Sequence, residues 1–425
     1  MDITRRYFLK SAGLSLFGVG AVPAFLRRTA YAIEGPRPAA RRKVLVAIFQ
    51  RGAADGLNIV APYGEKDYYK MRPTIAIPAP GKAGDASEAA IDLDGFFGFH
   101  PRLDALKPIF DQGHLAVIDA VGSPNNTRSH FEAQDFMETA TPGEPNTKDG
   151  WLNRYLRYTP EADATPFRAV AASPRMPLTL QGPAHALAIE DVRNFKLRLN
   201  PNRPDMAGMG NAFQALYASA SDPLLSSTAR ETFSAVKTLD QIGGQGYLPE
   251  NGAQYPAGQL GRHMQEVAQL IKSGVGLEVA FVDVGGWDHH VNEGSVTGQL
   301  AGRLKEFGDS LAAFHQDMGE RMADVVVLSM SEFGRTAREN GNRGTDHGHA
   351  NVMFVMGGPV KGGKVYGNWP GLKPGQLNQD RDLALTTDFR DVFAEVVTRH
   401  LGTRSASSIF PAFSVSPERF CGFLA

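Results

Sequence analysis

The sequence of 425 residues contains one cysteine, almost no net charge and, after its first 26 residues, no apolar run long enough to cross a membrane. The single cysteine, Cys421, excludes an internal disulfide framework and a thiolate metal cluster, so a metal ion would have to bind histidine and carboxylate side chains. The 44 basic and 45 acidic residues give a formal net charge of −1. A general nucleic-acid-binding protein needs a basic surface to displace counterions from phosphates, so we expect no nucleic-acid partner.

The first 32 residues have the pattern of an export signal. Arg5-Arg6 stands directly before Tyr-Phe-Leu-Lys, an apolar run of 16 residues follows over residues 11–26, and Ala30-Tyr31-Ala32 forms a small-x-small cleavage site. The run is short for a membrane span and has the length of a signal-peptide core. Paired arginines in this context match the twin-arginine pattern. We therefore expect residues 1–32 to be a signal peptide that engages the twin-arginine translocase. The mature protein would be periplasmic or secreted, with no stable membrane span; an uncleaved anchor is the alternative.

Apolar runs alternate with helical patterns along the rest of the chain. Hydrophobic residues make up 42% of the sequence, which is enough to bury a large core. Periodicity predicts strands at 44–49, 114–121, 167–172, 277–284, 324–330 and 351–356, and helices at 101–112, 130–139, 257–274, 296–319 and 388–401. The last helix would begin at Thr387 or Asp388 as N-cap.

This alternation predicts an α/β fold with a doubly wound, mostly parallel sheet and helices on both faces. We expect residues 33–425 to form a single domain. Residues 185–255 have few strand signals and are predicted to be a helical insertion or cap within it.

Polar residues gather beside glycine at the ends of the predicted strands, where open α/β sheets bind their ligands. Four polar segments follow strands and a fifth precedes the strand at 351; these are residues 50–58, 122–131, 285–290, 331–336 and 344–349. Five of the 11 histidines fall in three of these segments: His130, His289, His290, His347 and His349.

Imidazole and carboxylate groups together form the ligand set of divalent metal ions that assist phosphoryl or sulfuryl displacement. Taken singly, two of these segments also suit structural roles: Asp55-Gly56 suits a turn, and Glu332 with Arg335 suits a surface ion pair. Their shared place at strand ends favours one site. We expect one or two divalent ions (Zn, Mn, Mg or Ca) with ligands drawn from Asp55, Asp288, His289, His290, Glu332, Asp346, His347 and His349.

Ser129 stands where a helix is predicted to begin, and two roles remain open for it. Ser129 or Thr127 would cap the helix, with Glu132 at the spacing of a capping box from Ser129. Alternatively, Ser129 is a nucleophile, since free N–H groups at a helix start stabilise an oxyanion and a nearby cation lowers the pKa of a hydroxyl. In that case Arg128 and Arg335 would hold a tetrahedral anion.

Several motifs together resemble the DUF1501 family. They are the twin-arginine leader, Arg-Gly-Ala-Ala-Asp-Gly-Leu-Asn from residue 51, Thr-Arg-Ser-His-Phe from 127, Gly-Gly-Trp-Asp-His-His from 285, Ser-Glu-Phe-Gly-Arg-Thr from 331, Thr-Asp-His-Gly-His-Ala-Asn from 345 and Asp-Phe-Arg-Asp-Val-Phe from 388. The resemblance extends over nearly the whole chain. The resemblance indicates the fold of the chain more than its function, because the activity of this family is poorly defined.

The family in turn resembles a distant branch of the alkaline phosphatase and sulfatase superfamily, whose members hold one or two metal ions at strand ends. This resemblance implies that Asp55 and Asp288 (with Asp283) bind metal. It also implies that Ser129, or alternatively Thr127, lies near the position of the superfamily's nucleophile, and that His347, before Gly358-Pro359, is a metal ligand. Two positions depart from the superfamily pattern: Phe333 follows Glu332 where a histidine is expected, and Asn292 stands where another histidine is expected.

From the sequence we predict an exported, metal-dependent hydrolase of phosphate or sulfate esters, acting on a small-molecule or polymer substrate. The alternative is a non-catalytic periplasmic binding or assembly protein that keeps the fold without turnover, which Phe333 in a ligand position favours. A redox enzyme with an organic cofactor is a weaker alternative, since no Gly-x-Gly-x-x-Gly turn follows a strand.

Overall fold

A computed structural model of the chain describes residues 42–161, 164–192 and 246–424, together with 235, 237–239, 241 and 242. The strands in these residues, numbered in chain order, are β1 (Val44–Gln50), β2 (Val60–Ala61), β3 (Ile91–Asp92), β4 (Gly98–Phe99), β5 (Leu115–Gly122), β6 (Ala169–Ala172), β7 (Leu187–Ala188), β8 (Val279–Val284), β9 (Val325–Met330), β10 (Asn351–Gly357), β11 (Lys364–Tyr366) and β12 (Thr387–Asp388).

Nine of the described strands form one sheet, in the order β11-β5-β10-β9-β1-β8-β6-β7, with β12 beside β5. All of its pairings are parallel except the two made by β10, which runs antiparallel to β5 and to β9. Strands β2, β4 and β3 form a small antiparallel sheet. The predicted mostly parallel α/β sheet is confirmed.

The described α-helices are α1 (Gly56–Ile59), α2 (Lys66–Met71), α3 (Lys107–Asp111), α4 (His130–Thr139), α5 (Trp151–Tyr158), α6 (Gln259–Lys272), α7 (Gln299–Met318), α8 (Phe389–Glu395) and α9 (Ala406–Ile409). Short 3₁₀ segments lie at Ala86–Glu88, Pro101–Leu106, Leu178–Leu180, Gly319–Asp324 and Pro417–Arg419. None of these described helices is both long and apolar enough to cross a membrane.

Strand β1 lies at the centre of the sheet and is buried along its whole length. Its alternate residues enter different cores because side chains on a strand point to opposite faces. Val46 and Ile48 belong to a core that includes Phe307 of α7, whereas Leu45 and Phe49 belong to a core that includes Trp151 of α5. Helices therefore cover both faces of the sheet, as predicted for a doubly wound fold.

The six strands predicted from apolar runs all form, with ends within two residues of the predicted ones. The helix predicted over 388–401 is shorter, since α8 ends at Glu395 and a π-helical turn continues over Val396–His400. The predicted signal peptide lies outside the described residues. So does most of the predicted insertion at 185–255, although Leu187–Ala188 near its start form the edge strand β7.

We expect Asp388→Ala to lower the free energy of unfolding by about 1 kcal/mol, because the Asp388 carboxylate accepts a hydrogen bond from the Arg390 N–H at 2.9 Å and caps α8. Urea denaturation of the variants measures this change. Asp388→Asn keeps a capping oxygen and should lose less stability. Equal losses in the two variants would show that the cap contributes nothing.

Candidate metal centre

The direction of β10 brings the fifth polar segment to the other four. Strands β1, β5, β8 and β9 run the same way, so the segments that follow them leave from one edge of the sheet. Because β10 runs in the opposite direction, the residues that precede it arrive at that same edge. Residues 344–349 therefore lie beside residues 331–336, and an isolated β-bridge joins Arg335 to His347.

Two glycines allow these segments to approach closely. Gly52 has a φ of +119°, and a Cβ there would lie 2.7 Å from the backbone nitrogen of Asp288. A Cβ on Gly348 would lie 2.2 Å from the backbone of Arg335. A side chain at either position would push two segments of the site apart, which explains why glycine accompanies the polar residues.

Three side chains from separate segments converge at this edge. His130, Asp288 and His347 each offer a ligand atom, and these atoms all lie within 4.8 Å of one another. The His130 and His347 Nε2 atoms are 3.6 and 3.7 Å from the oxygens of Asp288. The Nε2 atom of His290 is 3.0 Å from Asp288 and 2.9 Å from the Nε2 atom of His347. One carboxylate and three imidazoles thus form a contiguous cluster.

Hydrogen bonds at Nδ1, the ring nitrogen away from the cluster, orient the rings of His130 and His347. The Nδ1 atom of His130 is 2.8 Å from Oε1 of Glu332, and that of His347 is 2.8 Å from the carbonyl oxygen of Arg128. Both partners are acceptors, so they favour a proton on each Nδ1, and with an ion bound each Nε2 would present a lone pair to it. Burial lowers the pKa of His347, which favours its neutral form.

The third imidazole, that of His290, is also held by a hydrogen bond at its Nδ1 atom. The Nδ1 atom of His290 is 3.2 Å from Oδ1 of Asp346. Burial tends to raise the pKa of Asp346, but hydrogen bonds from Asn340 and His290 outweigh it and hold the pKa below its usual value. An ionised Asp346 favours a proton on Nδ1, and with an ion bound between them the Nε2 atom of His290 would offer its lone pair beside Asp288 and His347.

His130 supplies the clearest sign that a ligand belongs here. Its Nε2 atom is buried and has no hydrogen-bond partner within the described part of the chain. A buried polar atom without a partner is costly unless a ligand satisfies it. Lone pairs from imidazoles beside a carboxylate match a divalent cation, so these residues fit a metal ion.

Arg335 holds Asp288 in place. Its buried guanidinium donates to Oδ1 of Asp288 and also to the carbonyl oxygens of Gly52, Ala53 and Thr345. Partial burial would raise the pKa of Asp288, but Arg335 outweighs this and lowers the pKa. The sequence predicts that Arg335 holds a substrate anion. In the structure its guanidinium instead binds acceptors of the protein itself.

Glu332 is buried behind His130, where its Oε1 atom accepts the Nδ1 proton. That atom also accepts from the Gly52 N–H and from Nε2 of Gln134, both at 2.9 Å, while Oε2 accepts from the Ser331 hydroxyl at 3.0 Å. Burial works against its charge, yet the hydrogen bonds from His130 and Gln134 hold the pKa of Glu332 below its usual value. Glu332 therefore orients a candidate ligand and does not face the cluster itself.

Asp55 is not brought into the cluster. It is fully buried and forms a two-pronged ion pair with the buried guanidinium of Arg72. Burial disfavours the charge of Asp55, but Arg72 outweighs this and lowers its pKa, whereas burial and the proximity of Asp55 raise the pKa of Glu293. Arg72 thus supplies the positive charge that a metal ion was expected to supply at this position.

His289 and His349 lie outside the cluster as well. Both are buried, and burial lowers the pKa of His289 to about 4 and lowers that of His349. Asp283 pairs with Arg51, whose Nε atom is 2.6 Å from it. Asn292 takes a left-handed backbone conformation with a φ of +50°, and its N–H donates to a carbonyl oxygen 2.9 Å away.

Ser129 occupies the N-cap position of α4, but its hydroxyl makes no capping bond within the described residues. The capping box predicted for Ser129 and Glu132 is wrong, because Glu132 accepts from the hydroxyl of Thr127 at 2.6 Å. The guanidinium of Arg128 donates to Asp382 at 2.7 Å, so it too is engaged with the protein.

The sequence gives no metal-site role to two residues that matter in the structure, His130 in the cluster and Arg72 beside Asp55. His130 lies in a predicted strand-end segment, but the pattern there, a hydroxyl at a helix start, predicts a role for Ser129 rather than for the histidine. Arg72 carries no signal in the sequence, since it lies in a helix end far from every predicted strand end. Phe333, which replaces an expected histidine, packs against His130 and His347 with ring centroids 5.1 Å from each.

Residues 116–409 match the family described as "Protein of unknown function (DUF1501)". No curated protein sequence matches the chain. Similar solved structures include PsFucS1 sulfatase from Pseudoalteromonas sp. (12% identity, 91% of this chain and 72% of that chain covered, TM-score 0.40). Another is the C-terminal periplasmic domain of EcEptC from Escherichia coli in complex with Zn (10% identity, 75% of this chain and 73% of that chain covered, TM-score 0.33). At these TM-scores the similarity assigns neither ligand nor activity to this chain.

We expect Asp55→Asn to lower the free energy of unfolding by about 3–5 kcal/mol, because it leaves the buried charge of Arg72 without its partner. Urea denaturation in the presence of a chelator measures this loss. Asp346→Asn is the control; its carboxylate is 52% exposed, and we expect a loss below about 1 kcal/mol. If Asp55→Asn were as stable as the control but lost metal binding, Asp55 would be a ligand after all.

Proposed function

The chain belongs to the DUF1501 family, and from the geometry of its site we propose that it is a metal-dependent hydrolase of phosphate or sulfate esters. The observation that carries this proposal is the buried Nε2 atom of His130, which has no partner in the described chain and faces Asp288 and His347. In this proposal residues 1–32 direct export through the twin-arginine translocase to the periplasm or beyond.

The proposed ligands are the Nε2 atoms of His130, His290 and His347 and the carboxylate of Asp288. A set rich in imidazole suits Zn²⁺ or Mn²⁺ better than Mg²⁺ or Ca²⁺, which prefer oxygen ligands. When bound, such an ion would act as a Lewis acid and would lower the pKa of a nearby hydroxyl. Glu332, Asp346 and the Arg128 carbonyl would orient the imidazoles, as hydrogen-bond partners of metal-binding histidines do.

We propose one ion per chain. The resemblance to the phosphatase and sulfatase superfamily allows for two, with Asp55 among the ligands. The Asp55 carboxylate is already paired with Arg72 on both of its oxygens, and the pair is buried. A second ion at Asp55 would have to displace a guanidinium from the interior and leave that charge unpaired, which is strongly unfavourable.

Ser129 is the proposed nucleophile. Its hydroxyl is free of a capping bond at the start of α4, directly before His130, and the first N–H groups of that helix donate to no side-chain cap within the described residues. The Ser129 oxygen would form a bond to phosphorus or sulfur as the bond to the leaving alkoxide breaks. The serine proton passes to solvent and the alkoxide takes up a proton. Water then cleaves the covalent ester and releases the inorganic anion.

The alternative is a binding or assembly protein that holds the ion without turnover. Phe333 favours it, because a ring that cannot bind metal packs against the rings of both His130 and His347 where the superfamily pattern has a histidine. In that case the oriented imidazoles would bind the ion structurally.

Metal analysis of chelator-treated protein repleted with Zn²⁺ or Mn²⁺ should give about one equivalent per chain. We expect His130→Ala and His347→Ala to weaken binding at least about tenfold. We also expect binding to weaken at acidic pH, because imidazole must be neutral to bind, and to persist below the usual imidazole range, because burial lowers the pKa of His347. His114→Ala, before the opposite end of β5, is the control and should bind normally. Less than about 0.2 equivalents in the parent would remove the basis of the proposal.

A screen of phosphate and sulfate esters in the presence of each metal ion should reveal turnover. We expect Ser129→Ala to reduce it at least about 100-fold while metal content stays unchanged. Thr127→Ala is the matched control, since this neighbouring hydroxyl bonds Glu132, and it should retain turnover. Tight binding of metal with no turnover of any ester would instead support the binding protein.

A further inference from the structure

A cavity with a volume of about 450 Å³ lies beside Asp288. Asp288, His289 and Gly286 line one part of it, and Gly298, Gln299 and Arg303 at the start of α7 line another. The cavity thus shares Asp288 with the candidate metal centre, whereas none of the three imidazoles of that centre lines it.

Arg303 places a positive charge in this cavity. Its side chain is 45% exposed, and its guanidinium lies 3.6 Å from Glu306, a long contact for an ion pair. A Cβ on Gly286 would lie 2.8 Å from this guanidinium, so glycine lets it lie against the backbone that carries Asp288. Arg335, by contrast, is committed to several protein acceptors.

The N-terminus of α7 faces the same cavity. This helix of 20 residues begins after Gly298, which has a φ of +121° and supplies no side-chain cap. The carboxamide of Gln299 points back to the carbonyl oxygens of Val291 and Asn292 at 2.8 and 3.1 Å. In the first turn, the Leu300 N–H already donates to the carbonyl oxygen of Glu293 at 3.1 Å. The other N–H groups of this turn and the dipole of the helix start favour an anion.

His289 provides an independent sign of a ligand in the cavity. Its side chain is only 5% exposed, and its Nδ1 atom has no hydrogen-bond partner among residues that the structure describes. A bound polar group that reached this nitrogen would supply the partner that buried polar atoms normally have.

We propose that this cavity binds a tetrahedral oxyanion, phosphate or sulfate, between Arg303, the start of α7 and His289. The inference deepens the proposed function, on which it rests for the nature of the substrate, by giving the anionic group of the ester a binding site next to Asp288. The Asp288 carboxylate would oppose an anion when unpaired, but Arg335 and a bound metal ion would offset its charge. Arg303 is thereby a specificity-determining residue.

Calorimetric titration of the protein with inorganic phosphate and with inorganic sulfate tests this inference, both with and without metal. We expect binding of at least one of the two anions, and Arg303→Gln should weaken it at least about tenfold, because a charge-assisted contact is lost. Arg303→Lys should keep part of the affinity. Arg262→Gln, on the exposed side of α6, is the control and should bind like the parent.

The two proposals fail in distinguishable ways. Anion binding that depends on Arg303 in metal-free protein supports this inference even if no metal binds. Metal binding with anion affinity equal in the parent and in Arg303→Gln would overturn it and leave the metal centre standing. Absence of binding by either anion, with and without metal, would overturn it as well.

Discussion

Arg335 joins four strand-end segments through one buried guanidinium. It follows β9, pairs with Asp288 after β8, and donates to carbonyl oxygens of Gly52 after β1 and Thr345 before β10. A buried cation requires this many acceptors, and the acceptors in turn fix where each segment lies. The position of Asp288, and hence the candidate metal centre, depends on this arrangement.

The carboxylates of Asp55 and Asp288 have different surroundings in this protein. Around Asp55, the charge is neutralised within the chain by Arg72, which donates to both carboxylate oxygens. Around Asp288, the Nε2 atoms of three imidazoles converge, and one of these, on His130, has no partner in the described chain. The first arrangement stabilises the fold, whereas the second is open to a cation from solution.

The fold could be predicted to a large extent because buried strands such as Val44–Gln50 are continuous apolar runs. The convergence of the polar segments at one edge of the sheet could be predicted as well, since strand ends are fixed by topology. The hydrogen-bond or ion-pair partner of each polar side chain could not be predicted from the sequence. Arg72 reaches Asp55 from a helix outside the predicted sheet, and Glu332 turns towards His130 rather than towards an ion, and neither choice has a signature in the sequence.

Crystals of the mature protein soaked with Zn²⁺ and recorded at the zinc absorption edge give the most direct test of the proposed metal centre. We expect one anomalous difference peak per chain, within bonding distance of the Nε2 atoms of His130 and His347 and of Asp288, at about 2.0–2.2 Å. A peak at Asp55, or no peak at the imidazole cluster, would contradict it.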